Sequence, residues 1–288
     1  MSVLDHELRK LKKMAVQIRR DIVEVTAHGK GGGIHAGPAL SAVELVTALY
    51  FNIMQVRADD PHWADRDRFI LSKGHAYAVL YSALAEKGFF EREELLTSRA
   101  INSRLQGHPS YKKTPGLDMT SGSLGNGPAC GMGIAMAMKK QNIVHRKVYV
   151  MLGDGECQEG MVWETAMAAP NKGIDNLVVI IDHNHYQSCG ALDEIMPLYP
   201  LADKWKAFGW HVMEVNGHDM QDIISKLSAA KEFCGRPVCV IAHTVKGKGI
   251  SFMEHNNKWH NGVCTEEQYV QAMKELDAQV EAIDAGLM

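Results

Sequence analysis

"VYVMLGDGECQEG", residues 148–160, runs an apolar segment straight into Gly153-Asp154-Gly155 and follows it with Glu156 and Glu159. A short apolar run ended by a glycine turn is the pattern of a strand buried on both faces. Asp154 then stands just past the carboxyl end of that strand, where open α/β sheets bind ligands. "LVVIIDHNHY" (177–186) repeats the pattern, with Asn184 just past its end. The intervening "EGMVWETAMAAP" has the length and composition of a crossover helix. One βαβ unit therefore brings Asp154 and Asn184 to the same end of a sheet whose strands lie about 4.8 Å apart. With "HVMEV" (211–215) and "VCVIA" (238–242) as further strands separated by helix-length segments, the chain reads as an α/β fold, a parallel sheet with helices on both faces.

Outward from this centre, Leu4, Leu8, Leu11, Ile18, Ile22 and Val25 fall at helical spacing and predict an amphipathic first helix with a basic outer face. "SAVELVTALYFNIM" is expected to start a second helix, with Ser41 and Glu44 as its capping box. From about Asn102 to Pro128 the chain is rich in Gly, Pro, Ser and Thr and predicts a long irregular stretch. Stretches of that length in compact proteins are usually functional or disordered.

At 288 residues and 46% hydrophobic, the chain suffices to bury a full core, and residues 1–288 are read as a single domain. A net charge of −3 with dispersed Lys and Arg leaves no footprint for nucleic acid. No eighteen apolar residues run together and the charged N-terminus has no leader-like core, so neither membrane insertion nor export is expected. Six cysteines without a CxxC pair read as reduced thiols of a cytoplasmic protein.

An aspartate, an asparagine and nearby backbone carbonyls make a hard-oxygen set with one negative charge, suited to Mg²⁺ shared with ligand phosphates. The alternative is that Gly153-Asp154-Gly155 is only a tight turn. "TSGSLGNGPACGMG" (120–133) places Gly122, Gly125 and Gly127 just before a helix with Pro128 in its first turn. Backbone N–H groups there can cradle a diphosphate, although the spacing matches neither GxGxxG nor GxxxxGK[ST] and also suits a turn and close helix packing. His35, His75, His108 and His260 each sit beside or near glycine, which points to polar contacts around one substrate. His28, His62, His145, His211, His218 and His243 lack that context and are read as structural.

"GDGECQEG" followed by Asn184 resembles the thiamine-diphosphate motif, and "LSKGHAYAVLYSALAEKG", "GSLGNG" and "HTVKGKGISFMEHNNKWH" resemble the N-terminal part of transketolase. The resemblance runs from the first helix to about Gly262. It implies the thiamine-diphosphate-binding fold, with Asp154, the Asn184 side chain and the Tyr186 carbonyl on Mg²⁺. It further implies that Gly122, Ser123, Leu124, Gly155, His75 and His260 contact thiamine diphosphate, alongside Asn184. His35, His108 and His260 align with histidines that touch the sugar and move protons, and Glu159 with a glutamate that couples two active sites. Ala36, Asn126 and His185 depart from the family pattern, and His185, standing where glycine is usual, bears on the backbone at Tyr186.

The resemblance implies two-carbon transfer between ketose and aldose phosphates. Nothing in the chain resembles the family's pyrimidine-binding or C-terminal domains, so it reads as the N-terminal subunit of a split transketolase. The expected partner is a separate C-terminal subunit in an α2β2 assembly. Another thiamine-diphosphate enzyme, a transketolase for an unusual ketose and a non-catalytic cofactor-binding remnant are the alternatives.

Overall fold

The structure is a computed structural model that describes residues 3–287. The chain runs through α1 (Val3–His28), α2 (Ala36–Leu40), α3 (Val43–Ala48), β1 (Arg68–Leu71), α4 (Tyr77–Glu86), α5 (Asn126–Lys140), β2 (Val148–Gly153) and α6 (Gly160–Asn171). It continues through β3 (Leu177–His183), α7 (Leu192–Ile195), α8 (Leu201–Ala207), β4 (His211–Asn216), α9 (Met220–Glu232), β5 (Val238–His243) and α10 (Glu266–Asp284).

The five strands form one sheet in the order β1-β2-β3-β5-β4. Every neighbouring pair is parallel. Side chains alternate between two cores because successive strand residues point to opposite faces. Tyr149, Met151, Val178, Ile180, Val238 and Val240 meet α1, α3, α4, α9 and α10 on one face. Val150, Leu152, Val179, Ile181 and Ile241 meet α5, α6 and α8 on the other. Both faces of the sheet are thus covered by helices, as the continuous apolar runs require.

All four expected strands form, with boundaries extended by one residue each at the carboxyl end. β1 is a fifth strand that the sequence reading lacks; it is four residues long and Arg68 breaks its apolar run. In α1, Leu11, Ile18, Ile22 and Val25 are buried, as the helical spacing predicts. The Leu4 side chain lies outside the described residues.

The capping box at Ser41 is corrected. Ser41 has helical dihedrals (φ −62°, ψ −29°), so its hydroxyl cannot turn back onto a following N–H. It donates instead to the Pro38 carbonyl at 3.2 Å and the Asp182 carboxylate at 2.5 Å. Glu44 pairs with Arg19 and with His218 at 3.1 Å. The serine that looked like a helix start is part of the floor of the site described next.

Candidate functional site

The carboxyl ends of β1, β2 and β3 converge on one cavity of about 240 Å³, whose walls include His75, Asp154, Gly155, Asn184, Tyr186 and His260. Asp154 follows β2 and is 1% exposed. Its Oδ1 accepts the Gly155 N–H at 2.8 Å, while Oδ2 accepts the His185 N–H at 2.6 Å and His183 Nδ1–H at 3.1 Å. The aspartate therefore does more than close a turn, because it ties the end of β2 to the chain leaving β3. Asn184 is also buried. Its Oδ1 accepts the Tyr186 N–H at 3.1 Å, and its Nδ2 donates to Ser41 Oγ at 3.3 Å and Asp182 at 3.2 Å. The Tyr186 carbonyl accepts no hydrogen bond among the described residues, so its lone pairs are free for a cation.

His185 resolves the question raised by its replacing a glycine. It adopts φ +66°, the left-handed region that glycine reaches without cost. Its N–H reaches Asp154 and its carbonyl accepts Leu192 N–H at 2.9 Å. The turn that presents Tyr186 is held against the strain of a β-carbon.

Beneath the cavity, Asp182 is fully buried and gathers Lys73 Nζ, Thr244 Oγ1, Ser41 Oγ and Asn184 Nδ2. Burial opposes its charge, but Lys73 and the hydroxyls together hold its carboxyl below the usual carboxylate range. Lys73 also donates to the Pro38 carbonyl at 2.7 Å. A buried ion pair with every partner satisfied fixes the side chains around it, since removing either member leaves an uncompensated charge. Glu156 braces the other wall, accepting from Ser72 Oγ, from Gly125 N–H at 2.8 Å and from Gly153 N–H at 3.2 Å. Burial pushes its carboxyl upward.

The glycine run enters α5 as the sequence predicts. Gly125 is the residue before the helix, at φ +83°, and Pro128 lies in the first turn. A β-carbon on Gly125 would sit 2.8 Å from Glu159 Cβ, which places exposed Glu159 directly behind the glycine turn. Gly122, Ser123 and Leu124 are exposed on the approach to the cavity. A β-carbon on Gly127 would stand 2.2 Å from Ser72 Oγ and 3.0 Å from Ser72 Cα, whereas one on Gly133 meets nothing within 4 Å. Gly127→Ala is therefore expected to destabilise the protein by about 1–3 kcal/mol through overpacking. Gly133→Ala is expected to stabilise it by about 0.5–1 kcal/mol through helix propensity. Thermal unfolding of the two variants decides this, and equal effects would remove the close-packing role of Gly127.

Three of the four singled-out histidines form one cluster. The ring centroids of His35 and His75 are 5.1 Å apart, those of His35 and His260 5.3 Å, and those of His75 and His260 5.5 Å. They come from separate segments, and paired backbone bonds of 3.0 Å between Ile34 and Gly262 fasten those of His35 and His260 together. His108 stands apart from the three rings and is exposed, flanking Gly122, where a β-carbon would lie 3.4 Å from its ring. Burial first, then Lys73 and the neighbouring imidazoles, pushes His75 down to about 2. Burial with His108, Arg99 and Lys246 brings His35 to about 4, and burial with Lys246, His35 and Lys73 brings His260 to about 3. All three rings are thus neutral at pH 7. Lys246 Nζ lies 3.0 Å from His260 Nδ1 and an ammonium can only donate, so the His260 proton is on Nε2. Lys246 also donates to Asn257 and to the Gln187 carbonyl, and burial brings it down to about 8.

Sequence reasoning missed Lys73, Glu156, Asp182, His183 and Lys246. Asp182 and His183 stood inside a run read as strand, and only the pairing of Gly153 with Asp182 across β2 and β3 reveals their place. Of the histidines read as structural, His28, His145, His218 and His243 each face a carboxylate, and His211 stacks on Phe233.

Residues 11–280 match the family described as transketolase, thiamine diphosphate binding domain. The chain is 42% identical over 278 residues to an apulose-4-phosphate transketolase subunit of Phocaeicola vulgatus, covering 96% of this chain and 98% of that one. It is 40% identical to 6-deoxy-6-sulfo-D-fructose transketolase subunit SqwG of a Clostridium species, covering 96% and 97%. Human transketolase is 36% identical over 96% of this chain but only 43% of its own length. A solved transketolase variant from Pichia stipitis superposes with a TM-score of 0.85 at 26% identity, over 98% of this chain and 44% of that one. The chain thus spans less than half of the single-chain transketolases it matches. By the family match, the parallel sheet and this similarity, the chain belongs to the transketolase family, as its thiamine-diphosphate-binding N-terminal domain.

Proposed function

We propose that this chain is the N-terminal subunit of a split transketolase, holding the diphosphate of thiamine diphosphate through Mg²⁺ for two-carbon transfer between ketose and aldose phosphates. The observation that carries this reading is a cluster of three histidines, two of which, His75 and His260, line the same cavity as the buried Asp154 and Asn184. The donor set fits the metal: one carboxylate, one amide oxygen and one free backbone carbonyl, all hard oxygens. Asp154, Asn184 Oδ1 and the Tyr186 carbonyl hold Mg²⁺, and Gly122, Ser123, Leu124, Gly155, His75 and His260 contact the cofactor.

When bound, the cofactor supplies the carbanion chemistry of two-carbon transfer. The chain's own residues do the rest. His35 and His260 donate to and accept from the sugar oxygens, which neutral imidazoles can do at pH 7. His108, exposed beside Gly122, meets the sugar at the cavity mouth. Lys246 sets the His260 tautomer, and Glu156 keeps the glycine turn against the end of β2. Glu159, exposed behind that turn, lies at the subunit interface.

The partner follows from the relatives. The two named as transketolase subunits are matched over 97–98% of their length, and single-chain transketolases over 43%. A separate C-terminal subunit completes the cofactor site in an α2β2 assembly. The expected result is no two-carbon transfer by this chain alone and full transfer once a C-terminal subunit is added, measured with a ketose phosphate donor and an aldose phosphate acceptor. Full activity of the purified 288-residue chain would falsify the split reading. The names of two relatives, apulose 4-phosphate and 6-deoxy-6-sulfo-D-fructose, support a second reading in which the ketose is an unusual one. A panel of ketoses in the same assay separates the two. Six free thiols fit a reducing, cytoplasmic setting, and among the described residues no helix is long and apolar enough to cross a membrane.

A further inference from the structure

Three imidazoles at the carboxyl ends of β3 and β5 have no part in the reading above. His183 and His243 are partners in the parallel register of the two strands, so their side chains lie on one face. His185 follows in the turn after β3. One ring nitrogen from each of the three lies within 4.8 Å of the other two. The His183 and His185 rings are 4.1 Å apart by centroid, and those of His183 and His243 5.6 Å.

The hydrogen bonds sharpen this grouping. His183 Nδ1 lies 3.1 Å from Asp154 Oδ2, and His243 Nε2 lies 2.8 Å from Glu214 Oε2. A carboxylate can only accept, so in its neutral form each imidazole spends its one N–H there and keeps one lone pair on the other nitrogen. A histidine that gives its N–H to a carboxylate and its lone pair to a cation is the arrangement that supports most metal-bound imidazoles. The His185 ring takes no hydrogen-bond partner among the described residues, although its backbone is held at φ +66°. His185 and His243 are exposed, so solvent ions reach the cluster.

We propose that His183, His185 and His243 form a binding site for a transition-metal dication, with Zn²⁺ as the occupant and a fourth position open to water. Three imidazoles with no oxygen ligand among them disfavour Mg²⁺ and Ca²⁺, which need hard oxygen ligands. Zn²⁺ binds imidazole at about 2.0–2.1 Å, which puts tetrahedral nitrogens about 3.4 Å apart. The rings need to close by only about an ångström, which the two exposed side chains supply by rotation. The site adjoins the cavity through Asp154, which holds His183 from behind. Its occupancy does not depend on which sugar the enzyme uses, or on whether the chain turns over at all.

The test is calorimetric titration of the protein with Zn²⁺ in the presence of thiamine diphosphate and excess Mg²⁺, so that the oxygen ligands at Asp154 are already engaged. Co²⁺ absorption reports the ligand type. One equivalent of Zn²⁺ per chain is expected, with a Co²⁺ spectrum free of thiolate charge-transfer bands. His243→Asn and His185→Gly should each abolish stoichiometric binding, and glycine is at home at the backbone angle of residue 185. Glu214→Gln should weaken binding by about 10–100-fold, the usual cost of losing a ligand's carboxylate support. Cys189→Ser, which removes a nearby exposed thiol, should change nothing. The proposal is overturned by absence of stoichiometric Zn²⁺ binding, by binding that survives both histidine variants, or by a thiolate spectrum that Cys189→Ser removes. Melting curves of each variant confirm that a loss of binding is not a loss of fold.

Discussion

Alanine at His35 or at His260, in the complete enzyme, is expected to lower two-carbon transfer by about 10²–10⁴-fold, the range typical of general acid–base groups. The geometry argues for chemistry over packing. Both rings are only partly buried and lie outside either core, with His260 lining the cavity and the His35 ring centroid 5.3 Å from that of His260. The loops carrying them are fastened by the backbone bonds between Ile34 and Gly262, which alanine leaves in place. His35 down at about 4 and His260 at about 3 are held uncharged near neutrality, so each ring offers one donor and one acceptor. Turnover with a ketose phosphate and an aldose phosphate, measured beside thermal melting, makes the test. A fall in melting temperature large enough to explain the lost activity would return both residues to a structural role.

The sheet was legible because β2, β3 and β5 are buried on both faces and therefore read as unbroken apolar runs. β1 was not, since "RFIL" is short and opens with an arginine. Helix starts were less legible. Ser41 and Glu44 have the right types at the right spacing, but Ser41 caps the end of α2 with helical dihedrals, and burial beside Asp182 gave the hydroxyl a stronger partner. The site split along the same line. Asp154 and Asn184 could be found because each follows a readable strand, and the four histidines because glycine surrounds them. Lys73, Asp182, Glu156 and Lys246 act through partners distant in sequence, such as the 109 residues between Lys73 and Asp182. No local pattern encodes such a contact. His243 stands beside His183 through the strand register alone, which no glycine context could reveal. Family resemblance supplied roles that spacing alone left open, and the left-handed backbone at His185 shows how the departure there is accommodated.

Asp154→Ala is expected to remove the metal dependence of thiamine diphosphate binding together with most of the affinity. Without a cation, the cofactor's diphosphate would face a buried carboxylate directly, and like charges at such range repel strongly where water is scarce. Asp154 would instead anchor a Mg²⁺ ion that offsets this repulsion. Truncating one member of a buried, hydrogen-bonded charge contact costs about 2–5 kcal/mol, a loss of roughly 30- to 4,000-fold in affinity. Calorimetry of the wild-type chain with its partner subunit, with and without chelator, sets the reference, and equal affinity in both conditions would remove the metal bridge. Asp154→Asn keeps one oxygen for the His185 N–H but loses the acceptor of the Gly155 N–H and the charge. It should bind the cofactor weakly, and its melting curve separates that loss from a loss of fold. Asp203→Ala serves as the control, since that carboxylate is exposed on α8 and pairs only with Lys206 at 3.1 Å. If Asp203→Ala weakened the cofactor as much as Asp154→Ala, charge in general would be the cause, and the assignment of Asp154 to the metal would fall.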